Sequence, residues 1–242
     1  MRVLEVRDLT VRLGGETLLD DVTFTVDRAT ILAVVGPNGA GKTTLFKALL
    51  GLVPYTGHVA WAPGARVVYV PQRFTVPAAM PLTVTEFFLL ASPRFWLPDR
   101  QFVAHLTHEL DLLGLPPHVL DRPVGVLSSG QLQRLLVSWA LLEHPDVVLF
   151  DEPTASVDAG FGQTVYAIMR RICRERGATV LLISHDLNVV STCADRVLCL
   201  NRRLLCTGPP AETLTPAALE RLFGPVGVHG HAAGAGHAAD RG

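Results

Sequence analysis

The chain has 242 residues, of which 49% are hydrophobic and 18% are charged, and its formal net charge is −1. This composition is typical of a folded globular protein and excludes disorder along the whole length. The near-neutral charge argues against a strongly basic nucleic-acid binder, so we expect no nucleic-acid partner. The mean hydropathy of +0.33 is high for a free monomer and indicates a surface that a partner covers.

No segment predicts a membrane span or a secretory signal. The two longest uncharged windows, 48–65 and 222–239, are interrupted by glycine, proline and histidine. The first residues carry a charge every few positions, so we expect a cytoplasmic protein.

The sequence has four cysteines without C-x-x-C spacing, Cys173, Cys193, Cys199 and Cys206. In a chain that is not secreted, we predict buried thiols rather than disulfides.

The first part of the chain is predicted to be rich in strands. In chain order we expect an edge strand around 3–11, a buried strand at 29–35, a helix at 42–50, and strands at 58–61 and 66–70. The edge strand alternates loosely between apolar and polar residues, whereas the buried strand is an almost wholly apolar run.

The rest of the chain predicts a helical insert and a return to alternating elements. From 76 to about 140, leucines recur at helical spacing between prolines and glycines. Further elements are expected in this order: a strand at 147–150, a helix at 162–176, a strand at 179–183, a hairpin at 197–206 and a helix at 211–222. From 224 onward the chain is mainly glycine, alanine and histidine, which predicts a flexible tail.

One segment has the G-x-x-x-x-G-K-[ST] spacing of a phosphate-binding loop, between a buried strand and a helix. It comprises Gly36, Pro37, Asn38, Gly39, Ala40, Gly41, Lys42 and Thr43, and Thr44 follows. Glycines let successive backbone N–H groups converge on an anion, and the helix N-terminus adds partial positive charge. We expect a nucleoside triphosphate here, with Lys42 at the β- and γ-phosphates and Thr43 on Mg²⁺. The alternative is a glycine-rich turn with a chance lysine.

Two acidic residues follow the apolar strand at 147–150. Asp151 is placed to hold Mg²⁺, directly or through water, and Glu152 could then act as general base on the attacking water. Taken alone, the two residues could instead be acids that end a strand. The phosphate-binding loop upstream favours the catalytic interpretation.

With these segments the sequence resembles the ATP-binding cassette (ABC) ATPases. Gln72 looks like the glutamine of the family's Q-loop, and His185 looks like the histidine of its switch. The segment LSSGQ is similar to the LSGGQ signature, and TASVD is similar to the D-loop. The matching residues are Ser128, Ser129, Gly130 and Gln131 in the signature and Asp158 in the D-loop. The match spans residues 1 to about 223.

The resemblance implies an α/β fold of the P-loop NTPase class, with an N-terminal antiparallel β layer, a RecA-like core and a helical insert. It implies one ATPase domain at 1–225, a helical subdomain at about 76–140 within it, and a tail at 226–242. The implied cofactors are ATP and Mg²⁺. The implied catalytic residues are Glu152, His185, Gln72 and Lys42, and the implied metal residues are Thr43, Gln72 and Asp151.

The resemblance also implies a homodimer. In the family, two subunits pair head to tail, and each signature closes on the ATP of the other. The N–H groups of Ser128 and Gly130 would form a second anion site at the start of a helix expected at 131–142. Without the resemblance, this segment would be an ordinary helix N-cap.

Two positions depart from the family pattern. Leu13 stands where the family usually has an aromatic residue stacked on adenine, and lost stacking costs on the order of 1 kcal/mol. We therefore expect weak adenine discrimination, which ATP and GTP affinities would test. Ser129 replaces the first glycine of the signature, and we expect function to be retained if the backbone there does not need a positive φ.

The partners and cargo are implied by resemblance as well. The aromatic-rich stretch at 74–97 either packs the core of the insert or contacts a separate permease. Several segments are similar to the ATPase subunit of zinc and manganese importers: YVPQ, PLTV, SHDL, VLCLN and LFG. This implies import of a divalent metal, zinc first and manganese next, at the cytoplasmic side of the membrane with an extracytoplasmic metal-binding protein.

Other interpretations stay open at this point. His229, His231 and His237 in the tail either bind metal weakly or are part of low-complexity sequence. The same ATPase could serve another cargo, such as an iron chelate or a drug. A soluble ABC ATPase that acts in translation or DNA repair is a further alternative, although such proteins usually carry two cassettes or a long coiled-coil insert, and neither is found here. The last alternative is a regulator that binds nucleotide without transport.

Overall fold

A computed structural model describes residues 1–90, 104, 106–108, 110–111, 113–142, 144–153 and 159–224. Its N-terminal layer is an antiparallel sheet with the strand order β2-β1-β4. The strands are β1 (Arg2–Leu13), β2 (Glu16–Asp27) and β4 (Thr56–Trp61). Gly14 and Gly15 join the first two strands with positive φ angles of 59° and 84°, which residues with a side chain rarely adopt.

The core sheet has the order β5-β6-β7-β3-β8-β9. The first five strands are parallel and β9 is antiparallel to β8. The bounds are β3 (Ile31–Val35), β5 (Val67–Val70), β6 (Val147–Asp151), β7 (Thr179–Ile183), β8 (Arg196–Asn201) and β9 (Arg203–Gly208). Strands β3, β6 and β7 are buried along their whole length, as their apolar sequences predict.

Helices flank the core sheet and follow its strands in the chain. Those with bounds in the described residues are α1 (Lys42–Leu49), α2 (Val84–Leu89), α3 (Ser129–Leu142), α4 (Ala159–Arg176), α5 (Leu187–Cys193), α6 (Pro210–Thr213) and α7 (Pro216–Phe223). Most strands and helices predicted from the sequence are confirmed in the described residues, with bounds that differ by only a few residues. The strand predicted at 3–11 is not an edge strand, because β1 pairs with β2 on one side and β4 on the other. Strand β2 and helix α5 were not predicted.

The single final helix predicted at 211–222 is wrong, because the structure has two short helices there. The side chain of Thr215 caps α7 by accepting a hydrogen bond from the Ala218 N–H at 3.3 Å. Pro216 at the first helical position has no N–H to continue the hydrogen-bond ladder from α6.

The apolar core has several connected parts. One part lies between the two sheets and includes α1 through Leu45 and Phe46. A second covers the opposite face of the core sheet with α3 and α4. A third lies in the segment predicted to be a helical insert, where Phe88, Leu110 and Leu135 pack together. The described residues contain no helix long and apolar enough to cross a membrane.

The prediction that all cysteines are thiols is wrong for one pair. Cys199 on β8 lies directly opposite Cys206 on β9, and the two form a disulfide with their Cα atoms 4.9 Å apart. The pairing of β8 with β9 brings the two side chains within bonding distance, and the spacing of the cysteines along the sequence does not reveal this pairing. Cys173 and Cys193 are buried free thiols, as predicted, and burial raises the pKa of each to about 11.

Candidate functional site

The site lies at the carboxyl edge of the parallel strands. Strand β3 ends at Val35, and residues 36–41 then form a loop that leads into α1. Gly41 has a φ of 92°, and a Cβ there would lie 2.7 Å from the carbonyl oxygen of Leu18. A Cβ at Gly36 would overlap the carbonyl oxygen of Leu200. Both positions therefore require glycine for steric reasons.

The side chain of Lys42 folds back onto the start of the loop. Its Nζ donates hydrogen bonds to the carbonyl oxygens of Gly36 at 2.8 Å and Pro37 at 2.9 Å. The side chain is buried, and desolvation lowers its pKa while the charges of Glu152 and Asp151 act in the opposite direction. The ammonium is thus held at the loop by contacts that a phosphate oxygen could replace.

The remaining loop residues differ in exposure. Asn38 and Gly39 are exposed, Ala40 is buried, and Thr43 and Thr44 are half-buried in the first turn of α1. The loop and this turn present backbone N–H groups at a helix N-terminus, which is a favourable place for an anion.

Asp151 is the last residue of β6 and is 2% exposed. Burial raises its pKa, whereas the hydroxyl groups of Thr43 and Tyr69 and the charge of Lys42 oppose the rise. The Tyr69 hydroxyl donates to Oδ2 at 3.1 Å. The other oxygen, Oδ1, is buried and has no hydrogen-bond partner among the described residues. An unpaired buried carboxylate oxygen of this kind fits a cation ligand.

Glu152 follows immediately and has a φ of 48°, in the left-handed region. Its backbone N–H donates to the carbonyl oxygen of Ile183 at 3.0 Å, which anchors it to the end of β7. Its Oε2 accepts a hydrogen bond from Nε2 of Gln72 at 2.7 Å and lies 3.6 Å from Nδ1 of His185. The structure thus brings these three predicted residues together around one carboxylate.

The signature segment forms a capping box at the start of α3. The Ser128 hydroxyl accepts a hydrogen bond from the Gln131 N–H at 3.2 Å, and the Gln131 side-chain oxygen accepts one from the Ser128 N–H at 3.1 Å. Ser129 and Gly130 form the first turn, where N–H groups lack intrahelical acceptors. Ser129 has no positive φ, so the departure from glycine introduces no backbone strain.

Other predicted positions are separate from this cluster or are not described. Leu13 ends β1 and is 37% exposed. Asp158 and the tail histidines lie outside the described residues. Sequence reasoning gave no role to Tyr69, although its place near the end of β5, beside β6, is a signal that could have identified it.

Comparison with known proteins places these features in a family. A family model described as "ABC transporter" matches residues 19–155. The chain is 41% identical over 224 residues to the zinc import ATP-binding protein ZnuC 1 of Hahella chejuensis, covering 92% of this chain and 84% of the relative. It is 40% identical to the zinc import ATP-binding protein ZnuC of Paramagnetospirillum magneticum, covering 99% and 91%.

A solved structure has the same architecture. The ATP-binding subunit of an ABC transporter superposes with a TM-score of 0.76 at 27% identity, covering 92% of this chain and 93% of that one. The two-sheet fold predicted from the sequence is therefore confirmed.

Proposed function

The chain belongs to the ABC transporter ATPases, and on that premise we propose that it is the ATP-hydrolysing subunit of a zinc importer. The main support is a sequence identity of about 40%, over nearly the whole chain, to relatives named as zinc import ATP-binding proteins. Manganese, the second cargo expected from the sequence, has no comparable support among these relatives. The described cluster of Lys42, Asp151, Glu152, Gln72 and His185 supplies the groups that ATP hydrolysis needs.

In this proposal the loop at 36–41 holds the phosphates of ATP with its N–H groups. Lys42 exchanges the carbonyl oxygens of Gly36 and Pro37 for oxygens of the β- and γ-phosphates. Thr44 lies in the same first turn, beside Thr43, and adds polar contacts to the phosphates.

The residues present also fit Mg²⁺. Asp151 offers a buried oxygen without a hydrogen-bond partner, and the hydroxyl of Thr43 and the amide oxygen of Gln72 are further oxygen ligands of the kind that Mg²⁺ prefers. When bound, the ion would neutralise charge that develops on the phosphates.

Tyr69→Phe tests this assignment. The change removes the hydroxyl that hydrogen-bonds Oδ2 of Asp151 but keeps the ring, which packs edge-on against Phe46. Because this hydroxyl stabilises the charged carboxylate, its loss raises the pKa of Asp151 further. We expect the Mg²⁺ concentration for half-maximal ATPase activity to rise by about tenfold, with the larger effect at acidic pH.

Tyr55→Phe is the matched control, since Tyr55 is an exposed tyrosine outside the site. An unchanged Mg²⁺ requirement in Tyr69→Phe, measured by ATPase titration at two pH values, would contradict the role given to Asp151.

Glu152 is proposed as the general base. Its Oε2 accepts a hydrogen bond from Gln72, and an attacking water in the same region could donate its proton to this carboxylate. His185, whose Nδ1 faces the same oxygen, is placed to contact the γ-phosphate once ATP is bound. Gln72 connects the base to the segment that follows β5 and so to the insert.

A second copy of the chain completes the site in this proposal. Among the described residues, no hydrogen bond or ion pair joins the signature at 128–131 to the loop at 36–41. The N–H groups of Ser129 and Gly130, with the side chains of Ser128 and Gln131, would bind the γ-phosphate held by the partner subunit. The Ser128 N–H, which was expected from the sequence to take part, already donates to the Gln131 side chain. Asp158 belongs to the same proposed interface.

A permease is the proposed membrane partner, with the ATPase at the cytoplasmic face of the membrane. Exposed apolar side chains lie on and near the insert, namely Phe74, Met80 and Leu90. We assign residues 1–225 to the ATPase domain, about 76–140 to its helical subdomain and 226–242 to the tail. An extracytoplasmic metal-binding protein would deliver the cargo.

Deletion of the gene in its host, under mild chelation, tests the cargo. We expect total cell zinc to fall severalfold, manganese to stay constant, and growth to recover with added zinc. Complementation with the wild-type gene should restore zinc, whereas the Glu152→Gln gene should not. A fall in cell manganese alone would identify manganese, not zinc, as the cargo. No change in either metal would overturn metal import while leaving the ATPase assignment intact.

A further inference from the structure

The turn between β8 and β9 braces the phosphate-binding loop. The backbone N–H of Arg202 donates to the carbonyl oxygen of Ala40 at 2.9 Å, and the carbonyl of Leu200 packs against Gly36. On its other side, the carbonyl oxygen of Arg202 accepts a hydrogen bond from the Asp20 N–H at 2.8 Å. The position of the loop therefore depends on this turn, which we call the hairpin tip (residues 200–203).

The Cys199–Cys206 disulfide lies at the base of the hairpin tip. Cys199 pairs in parallel register with Val35, the residue before the loop, and directly precedes Leu200. The ladder between β8 and β9 has an irregularity between Cys199 and Leu200. Regular strand pairing is thus interrupted where the disulfide crosses, so the covalent bond contributes to holding the tip in place.

The four cysteines differ in accessibility. Cys206 is partly exposed, whereas Cys199 is 1% exposed. Cys173 and Cys193 are buried thiols, and their raised pKa values of about 11 leave little thiolate at neutral pH. Cys206 is therefore the more exposed of the two bonded cysteines and the one at which attack by an external thiol is expected, and the other two cysteines are poor partners for exchange.

We propose that Cys199 and Cys206 form a thiol–disulfide switch that sets the affinity of the phosphate-binding loop for ATP. Oxidation joins the two thiols while a small disulfide such as oxidised glutathione accepts two electrons and two protons and becomes two thiols. Reduction runs in reverse: a thiolate attacks the Cys206 sulfur, Cys199 leaves as a thiol, and a second thiol releases Cys206. The oxidised hairpin holds the tip against Ala40 and Gly36 and binds ATP more tightly.

The switch is independent of the transported cargo, because it acts on the nucleotide site alone. Its test uses the purified full-length protein, equilibrated in glutathione buffers that are mainly oxidised or mainly reduced. Alkylation under denaturing conditions, followed by mass measurement and peptide mapping, counts the free thiols. We expect two alkylated cysteines in the oxidised buffer, Cys173 and Cys193, and four in the reduced buffer.

The affinity for a non-hydrolysable ATP analogue is then measured by calorimetry in both buffers. The oxidised wild type should bind about fivefold more tightly or better, within the usual range of coupling between two sites. Cys206→Ser should have the weaker affinity in both buffers, and Cys193→Ala should respond as the wild type does. Equal affinities in the two wild-type samples, or four free thiols in both buffers, would overturn the proposal, and this comparison requires no variant.

Discussion

Glu152→Gln is expected to lower the rate of ATP hydrolysis by about 10²–10⁴-fold while ATP still binds. The amide keeps the size of the side chain but cannot take a proton from water. Gln72 Nε2 can still donate to the new carbonyl oxygen, so the local geometry is preserved. Because binding continues and hydrolysis stops, the variant should accumulate as an ATP-bound dimer, which size-exclusion chromatography with light scattering would detect.

Glu220→Gln is the matched control, since Glu220 is exposed on α7 and is not one of the residues assigned to the site. It should hydrolyse ATP at the wild-type rate and show no ATP-dependent dimer beyond that of the wild type. Wild-type hydrolysis by Glu152→Gln would show that another group activates the water.

Lys42→Met should weaken ATP binding by about 10- to 100-fold and lower kcat/KM by about 10²–10³-fold. The substitution removes the charge that would meet the β- and γ-phosphates and leaves an apolar chain of similar length. It also removes a positive charge that lowers the pKa of Asp151. Calorimetry with a non-hydrolysable ATP analogue measures the first effect, and steady-state kinetics measures the second.

The chain contains one other lysine, which provides the control. Lys47 lies in the last turn of the same helix and is exposed, so Lys47→Met should retain affinity and rate. Thermal unfolding of both variants separates a site effect from a folding defect, because a buried ammonium replaced by an apolar side chain need not destabilise the fold. If Lys42→Met bound ATP as the wild type does, the loop would not be the nucleotide site.

The parts of the site that are formed by consecutive residues could be predicted from the local sequence. The loop at 36–43 follows a buried strand and begins a helix, so its geometry could be predicted from its own residues. Asp151 and Glu152 could be placed at a strand end in the same way. Their meeting with Gln72 and His185 follows from parallel strands that end at one edge, as the family resemblance implied.

The features that were missed depend on contacts between distant parts of the chain. The Tyr69–Asp151 hydrogen bond requires β5 to lie next to β6, and the two residues are far apart in sequence. The Cys199–Cys206 bond requires the register of β8 against β9, which a one-residue shift would destroy. The break before α7 differs, since the Thr215-Pro216 pair is a local signal that could have been recognised.

The backbone conformation of Glu152 implies a conflict between thermal stability and the rate of ATP hydrolysis. A residue with a side chain at a φ of 48° costs on the order of 1 kcal/mol relative to ordinary backbone, a cost that glycine avoids. Selection for thermal resistance alone would therefore favour glycine at the position where a carboxylate is needed. A more thermostable variant of this protein should therefore keep glutamate at position 152 and carry its stabilising substitutions at other positions.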